Sequence, residues 1–159
     1  MIYTGIGSRE TPKNILEKMV IIAKWYAENG HTLRSGGAEG ADNAFEKGCD
    51  VGSGRKEIYL PWKGFNRNPS PLFIIPSEAF EIAAKFHPAW SRCSNGARML
   101  HARNVMQVLG KDPKNPVLSD LVVCWHQGHG GTTQACRIAA GYGVKVKNLA
   151  LEPDWLPKG

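Results

Sequence analysis

Three short stretches of this chain carry residue types suited to holding an anion: "GIGSRETP" (5–12), "SGGAEGAD" (35–42) and "WHQGHGGTTQA" (125–135). Each is rich in Gly, Ser or Thr, and each runs into a helical pattern. Glycine there permits a turn at positive φ or lets a ligand approach backbone N–H groups. A helix start adds unpaired N–H groups and the positive end of the dipole. The candidate ligand-binding residues are Gly7, Ser8 and Arg9 in the first stretch, and Ser35, Gly36, Gly37, Gly40 and Asp42 in the second. Gly128, Gly130, Gly131, Thr132 and Thr133 follow in the third. The fork of donors on Arg9 suits a phosphate or carboxylate, unless it pairs with Glu10. Asp42 suits the first turn of a helix and equally suits a ribose hydroxyl. Thr132 can hold phosphate or act only as an N-cap.

Three such loops form one site only if a common scaffold brings them together. "MIYTGI" reads as a first strand and residues 11–29 as a helix, with Pro12 in its first turn and Ile15, Met19, Ile22, Ala23 and Tyr26 on one face. Gly30 ends it. Residues 31–35 read as a second strand, 38–47 as a helix and 56–61 as a third strand closed by Pro61. A long loop at 62–76 precedes helices at 77–86 and 97–109. "VLSDLVVCW" is then a buried strand, 132–140 a helix and "VKVKNL" a last strand. This alternation predicts an α/β fold: a single three-layer Rossmann-like domain over 1–159, with a mostly parallel sheet and helices on both faces. The three loops then leave the carboxyl ends of strands, where open parallel sheets place their ligand crevice.

Composition narrows the function. At 159 residues one core is expected. No apolar run is long enough to span a membrane and the N-terminus has no signal-peptide pattern, so a cytoplasmic protein without membrane partners is expected. The four cysteines form no C-x-x-C pair and read as reduced thiols. No metal site and no cofactor are expected, and His126 and His129 read as loop or ligand contacts. A net charge of +6 suits a phosphate-rich partner.

In order, "GIGSRETP", "LRSGGAEGADNAFEKG", "EIYLP", "HARNVMQVLG" and "LSDLVVCWHQGHGGTTQACRIAAGYGVKV" resemble the landmarks of the DNA-processing protein A (Smf) Rossmann-like domain. That family belongs with the Lonely Guy and lysine decarboxylase-like proteins in one nucleotide-binding superfamily. The resemblance runs from residue 2 to about 146 and is weakest over 62–96. It implies single-stranded DNA binding and adds Arg103 and Asn104 of "ARN" to the ligand set. Arg9, Arg34, Arg98 and Arg103 would line a basic groove, and Trp62, Phe65, Trp90 and Trp125, beside Lys63, Arg67 and Arg92, are candidate stacking groups.

Lonely Guy enzymes are phosphoribohydrolases with a P-G-G-x-G-T-x-x-E loop and an upstream arginine that Arg103 would match. Here the loop ends in Gln134 and Ala135 where those enzymes carry acids, and glycosidic cleavage needs a carboxylate. The catalytic candidates are therefore Arg103 and Asp42, with Glu39 or Asp120 as other carboxylate sources. Binding of a nucleotide-type phosphorylated ligand or single-stranded DNA ranks first. A phosphoribohydrolase acting on a nucleoside monophosphate ranks second, and an oligomeric ligand-sequestering protein third. A homodimer remains open.

Overall fold

The computed structural model describes residues 1–158. Its sheet is built outward from the first strand. β1 (Ile2–Gly5) pairs with β2 (Thr32–Ser35) on one side and with β4 (Leu121–Cys124) on the other. β3 (Arg55–Ile58) and β5 (Lys145–Asn148) form the edges, so the order is β3-β2-β1-β4-β5 and every pairing is parallel. Lysines at 56, 145 and 147 mark both edge strands, a composition that discourages pairing with another chain.

Parallel neighbours need crossovers, and the helices supply them. α1 (Lys13–Glu28) and α2 (Ala41–Val51) cover one face; α3 (Ser77–Phe86), α4 (Asn95–Leu109) and α5 (Gly131–Gly141) cover the other. The fold is thus the α/β Rossmann-like class. α1 buries Ile15, Met19, Ile22, Ala23 and Tyr26, the face its periodicity predicts. Each large apolar side chain there is worth about 2 kcal/mol relative to exposure. Alternation along the strands sends Tyr3, Leu33 and Val123 into the α1–α2 core, while Val122 and Cys124 join the α3–α5 core.

Two polar strand residues also lie buried in the α4 layer. Thr4 Oγ1 lies 2.8 Å from Ser119 Oγ and donates to the Gln107 carbonyl. Arg34 Nη1 donates to Val117 O at 2.6 Å and Val108 O at 3.3 Å, and its Nε meets Glu57 Oε1 at 3.2 Å. These contacts tie β1 and β2 to the end of α4 and to its link with β4. Arg34 is only 2% exposed, so it cannot line a basic groove as expected. Its donors are spent on the Val108 and Val117 carbonyls, Ser119 Oγ and the Glu57 carboxylate.

Candidate functional site

Strand order reverses at β1, which has β2 on one flank and β4 on the other. A cavity of about 410 Å³ opens there, at the carboxyl ends of the strands. Its lining comes from all three glycine-rich loops and from one helix. The first loop gives Gly7, Ser8, Arg9 and Glu10; the second, Ala38, Glu39 and Asp42; the third, His129, Gly130, Gly131 and Thr132. α4 contributes Ala97, Leu100, His101, Arg103, Asn104 and Gln107, and Phe65 joins from the long loop.

The floor is charged and closed. Arg103 Nη1 donates to the Gly36 carbonyl and, at 3.1 Å, to that of Tyr59, while its Nε donates to Asn104 Oδ1 at 3.0 Å. Asn104 Nδ2 passes the constraint on, donating to Gly131 O at 3.2 Å and so fixing the first turn of α5. Asp42 accepts the Ala38 N–H at 3.2 Å. Burial pushes its carboxyl up to about 6, against the opposing pull of the Arg103 charge. Burial likewise lowers Arg103 from its usual value, and Asp42 opposes that. Beside them, Gln107 is 1% exposed and its Oε1 has no hydrogen-bond partner among the described residues. It is a buried acceptor left unpaired at the cavity lining.

The rim carries both polar and aromatic groups. Gly130 caps α5 at φ 86, and the first-turn N–H groups of that helix have no helical acceptor. Glu10 turns to His129 at 3.8 Å, so Arg9 makes no ion pair among the described residues. Phe65 lies 5.5 Å from the Arg103 guanidinium, and Trp62, 40% exposed, packs edge-on against Phe65 at 5.3 Å.

Of the sequence candidates, Gly7, Ser8, Arg9, Asp42, Arg103, Asn104, Gly130, Gly131 and Thr132 come together in this cavity. Others stand behind it. Ser35 is buried and donates to Gly5 O at 2.6 Å. Gly36 abuts the polar floor, where an added Cβ would lie 2.6 Å from Arg103 Nη1 and 2.7 Å from Asp42 Oδ2. Gly37, at φ 70, packs on Leu60, and Gly40 caps α2. Gly128 donates to His126 Nδ1, and the Thr133 hydroxyl lies 2.9 Å from the His129 carbonyl oxygen, so both stabilise the third loop itself.

Several wider expectations are corrected. Arg98 is held outside the cavity by two bonds to Trp90 O and stacks on that ring at 5.1 Å. Trp125 belongs to the core. Asp120 accepts the Ile2 N–H at 2.9 Å, at the amino end of the sheet and far from the crevice. Gln134 donates to Ala83 O and Ala135 is fully buried, so neither position presents a group to the cavity. Sequence reading passed over Glu10, Ala97, Leu100, His101 and Gln107. The spacing of Ala97, His101, Asn104 and Gln107, three and four apart, was the available signal for one helix face.

No family model and no curated protein matches this chain. Among solved structures it is similar to DNA processing protein A from Helicobacter pylori, described for its unique single-stranded DNA binding mode. The TM-score is 0.60 at 19% sequence identity, over 93% of this chain and 64% of that one. That likeness shows a shared fold, and this chain spans 64% of the length of that protein. No helix among the described residues is long and apolar enough to cross a membrane.

Proposed function

We propose that this chain binds single-stranded DNA and seats one nucleotide unit in the three-loop cavity. The observation that carries the reading is the meeting of Arg9, the N-terminus of α5 and Phe65 in the lining of one cavity, with Trp62 packed against Phe65. A phosphate fits between Arg9 and the free N–H groups at Gly131 and Thr132. A base stacks at the aromatic rim. Asp42 and Arg103 line the floor beneath it and set the charge there. The shared fold with a single-stranded DNA-binding protein supports the same reading. Hydrolysis is outside it, because the two loop positions that hold acids in Lonely Guy enzymes are here Gln134 and Ala135, both turned into the protein.

Fluorescence anisotropy of a labelled oligonucleotide, with nucleoside monophosphate as competitor, tests this. Gly131→Asp is the informative variant. Its Cβ meets nothing nearer than Asn104 Nδ2 at 3.7 Å, and an acid suits the first turn of a helix, so the fold is kept while phosphate is repelled. Binding at low salt should weaken about tenfold or more in Gly131→Asp and in Arg9→Ala, as expected for losing a charge-assisted contact. Equal affinity in both variants, or no oligonucleotide binding by the parent, overturns the proposal. Oligonucleotide failing where the monophosphate binds would leave a free nucleotide as the ligand.

A further inference from the structure

Where α4 forms the cavity wall, three side chains with metal-binding chemistry meet, and of these only His101 also lines the cavity. His87 follows α3, Cys93 follows the short turn at Trp90–Arg92, and His101 lies on α4. One ligand atom from each falls within 4.8 Å of the other two. Cys93 Sγ is 3.7 Å from His87 Nε2, and the two imidazole rings are 4.6 Å apart by centroid. His101 Nδ1 is buried and has no hydrogen-bond partner among the described residues. Two imidazoles and a thiol, mutually in contact and with one ring nitrogen unspent, match the donor set of zinc.

We propose that His87, Cys93 and His101 bind one Zn²⁺, leaving its fourth position to water. Tetrahedral zinc, with Zn–S about 2.3 Å and Zn–N about 2.0–2.1 Å, separates S and N ligands by roughly 3.6 Å. The thiol and imidazole therefore already stand at nearly the separation the metal needs. On binding, Cys93 releases its thiol proton to solvent and its thiolate takes the metal. The proton on His87 moves from Nε2 to Nδ1, so the local Ala89 N–H contact at 3.0 Å passes to solvent. The ion ties the connection between α3 and α4 to the helix that supplies Leu100, Asn104 and Gln107 to the cavity. A second cluster, Cys124, His126 and Cys136, is the less suited, because Cys124 is fully buried.

The inference does not rest on DNA binding, and its test is separate. The metal-free full chain is titrated with Co²⁺ as a spectroscopic probe, then with Zn²⁺ in competition. One equivalent should give thiolate-to-cobalt charge transfer and the intense visible bands of tetrahedral Co²⁺, and Zn²⁺ should displace it. Cys93→Ser should abolish the charge transfer, His87→Gln should weaken affinity at least tenfold, and Cys136→Ser should leave both unchanged. Both positions are half-buried, and circular dichroism checks the fold of each variant; if either variant misfolds, the other decides. Absence of stoichiometric binding, bound Co²⁺ without charge transfer, or a band lost in Cys136→Ser overturns the site.

Discussion

At the cavity floor, Asp42 and Arg103 are both buried, and their pairing carries a pH signature. The Asp42 carboxyl stands at about 6 against an ordinary 3.8, because burial outweighs the attraction of Arg103. A folded pKa above the unfolded one means that the folded state holds the proton more tightly. The contribution is therefore fully present below about pH 4 and is lost as pH rises through about 6. Two units correspond to roughly 3 kcal/mol. Asp42→Asn removes this titration, so urea unfolding between pH 4 and 7 should show the parent losing about 3 kcal/mol relative to the variant. Parallel profiles would mean that Asp42 is ionised as readily in the fold as outside it. Gly36 belongs to the same cluster, which explains why the loop needs a glycine there: the polar floor, and not a bound ligand, occupies the space of its Cβ.

Among the elements, α4 connects site and scaffold. Its start is fixed by Ser94, whose Oγ accepts the Ala97 N–H at 3.2 Å. Ser94→Ala should cost about 1 kcal/mol in chemical denaturation and Ser94→Gly only a few tenths. That cap also shows where sequence reading stops. Apolar periodicity located the helices, and the buried face of α1 was legible residue by residue, because one face meets a core and the other meets water. Ends were less so. α4 begins at Asn95 rather than 97 because a serine outside the periodic run caps it, and α2 begins at Ala41 rather than 38 because Gly37 and Gly40 adopt positive φ. The glycine loops announced a crevice, but not which glycines face it. Arg34 was misread because a four-residue internal strand buries both faces, and no pattern that short distinguishes a buried arginine held by carbonyls from one aimed at solvent. The α4 wall was hidden for a related reason: from Ala102 to Leu109 every residue is buried, so polar members such as Gln107 lack a solvent face to stand out against.

For the whole molecule, charge sets how binding should respond to salt. The net +6 includes exposed Arg9, Lys63 and Arg67 near the rim. If three of a strand's phosphates are neutralised, the logarithm of affinity should fall with the logarithm of salt at roughly −2, about −0.7 per contact. Arg9→Ala should flatten that slope by about 0.7, measured by anisotropy across a salt series. An unchanged slope would place Arg9 away from the phosphates.

The strand order has a consequence for assembly. Tyr3 pairs with Leu121, so the central ladder joins the beginning of the chain to a segment made late, and such distant pairing is slow to form. The two halves of the sheet meet along this one seam, and the cavity lies across it. No pocket exists until the seam has closed, and any opening of it empties the pocket. An occupant of the pocket is therefore a clamp on the seam, stabilising the closed fold by an amount that grows with the logarithm of its concentration above its dissociation constant.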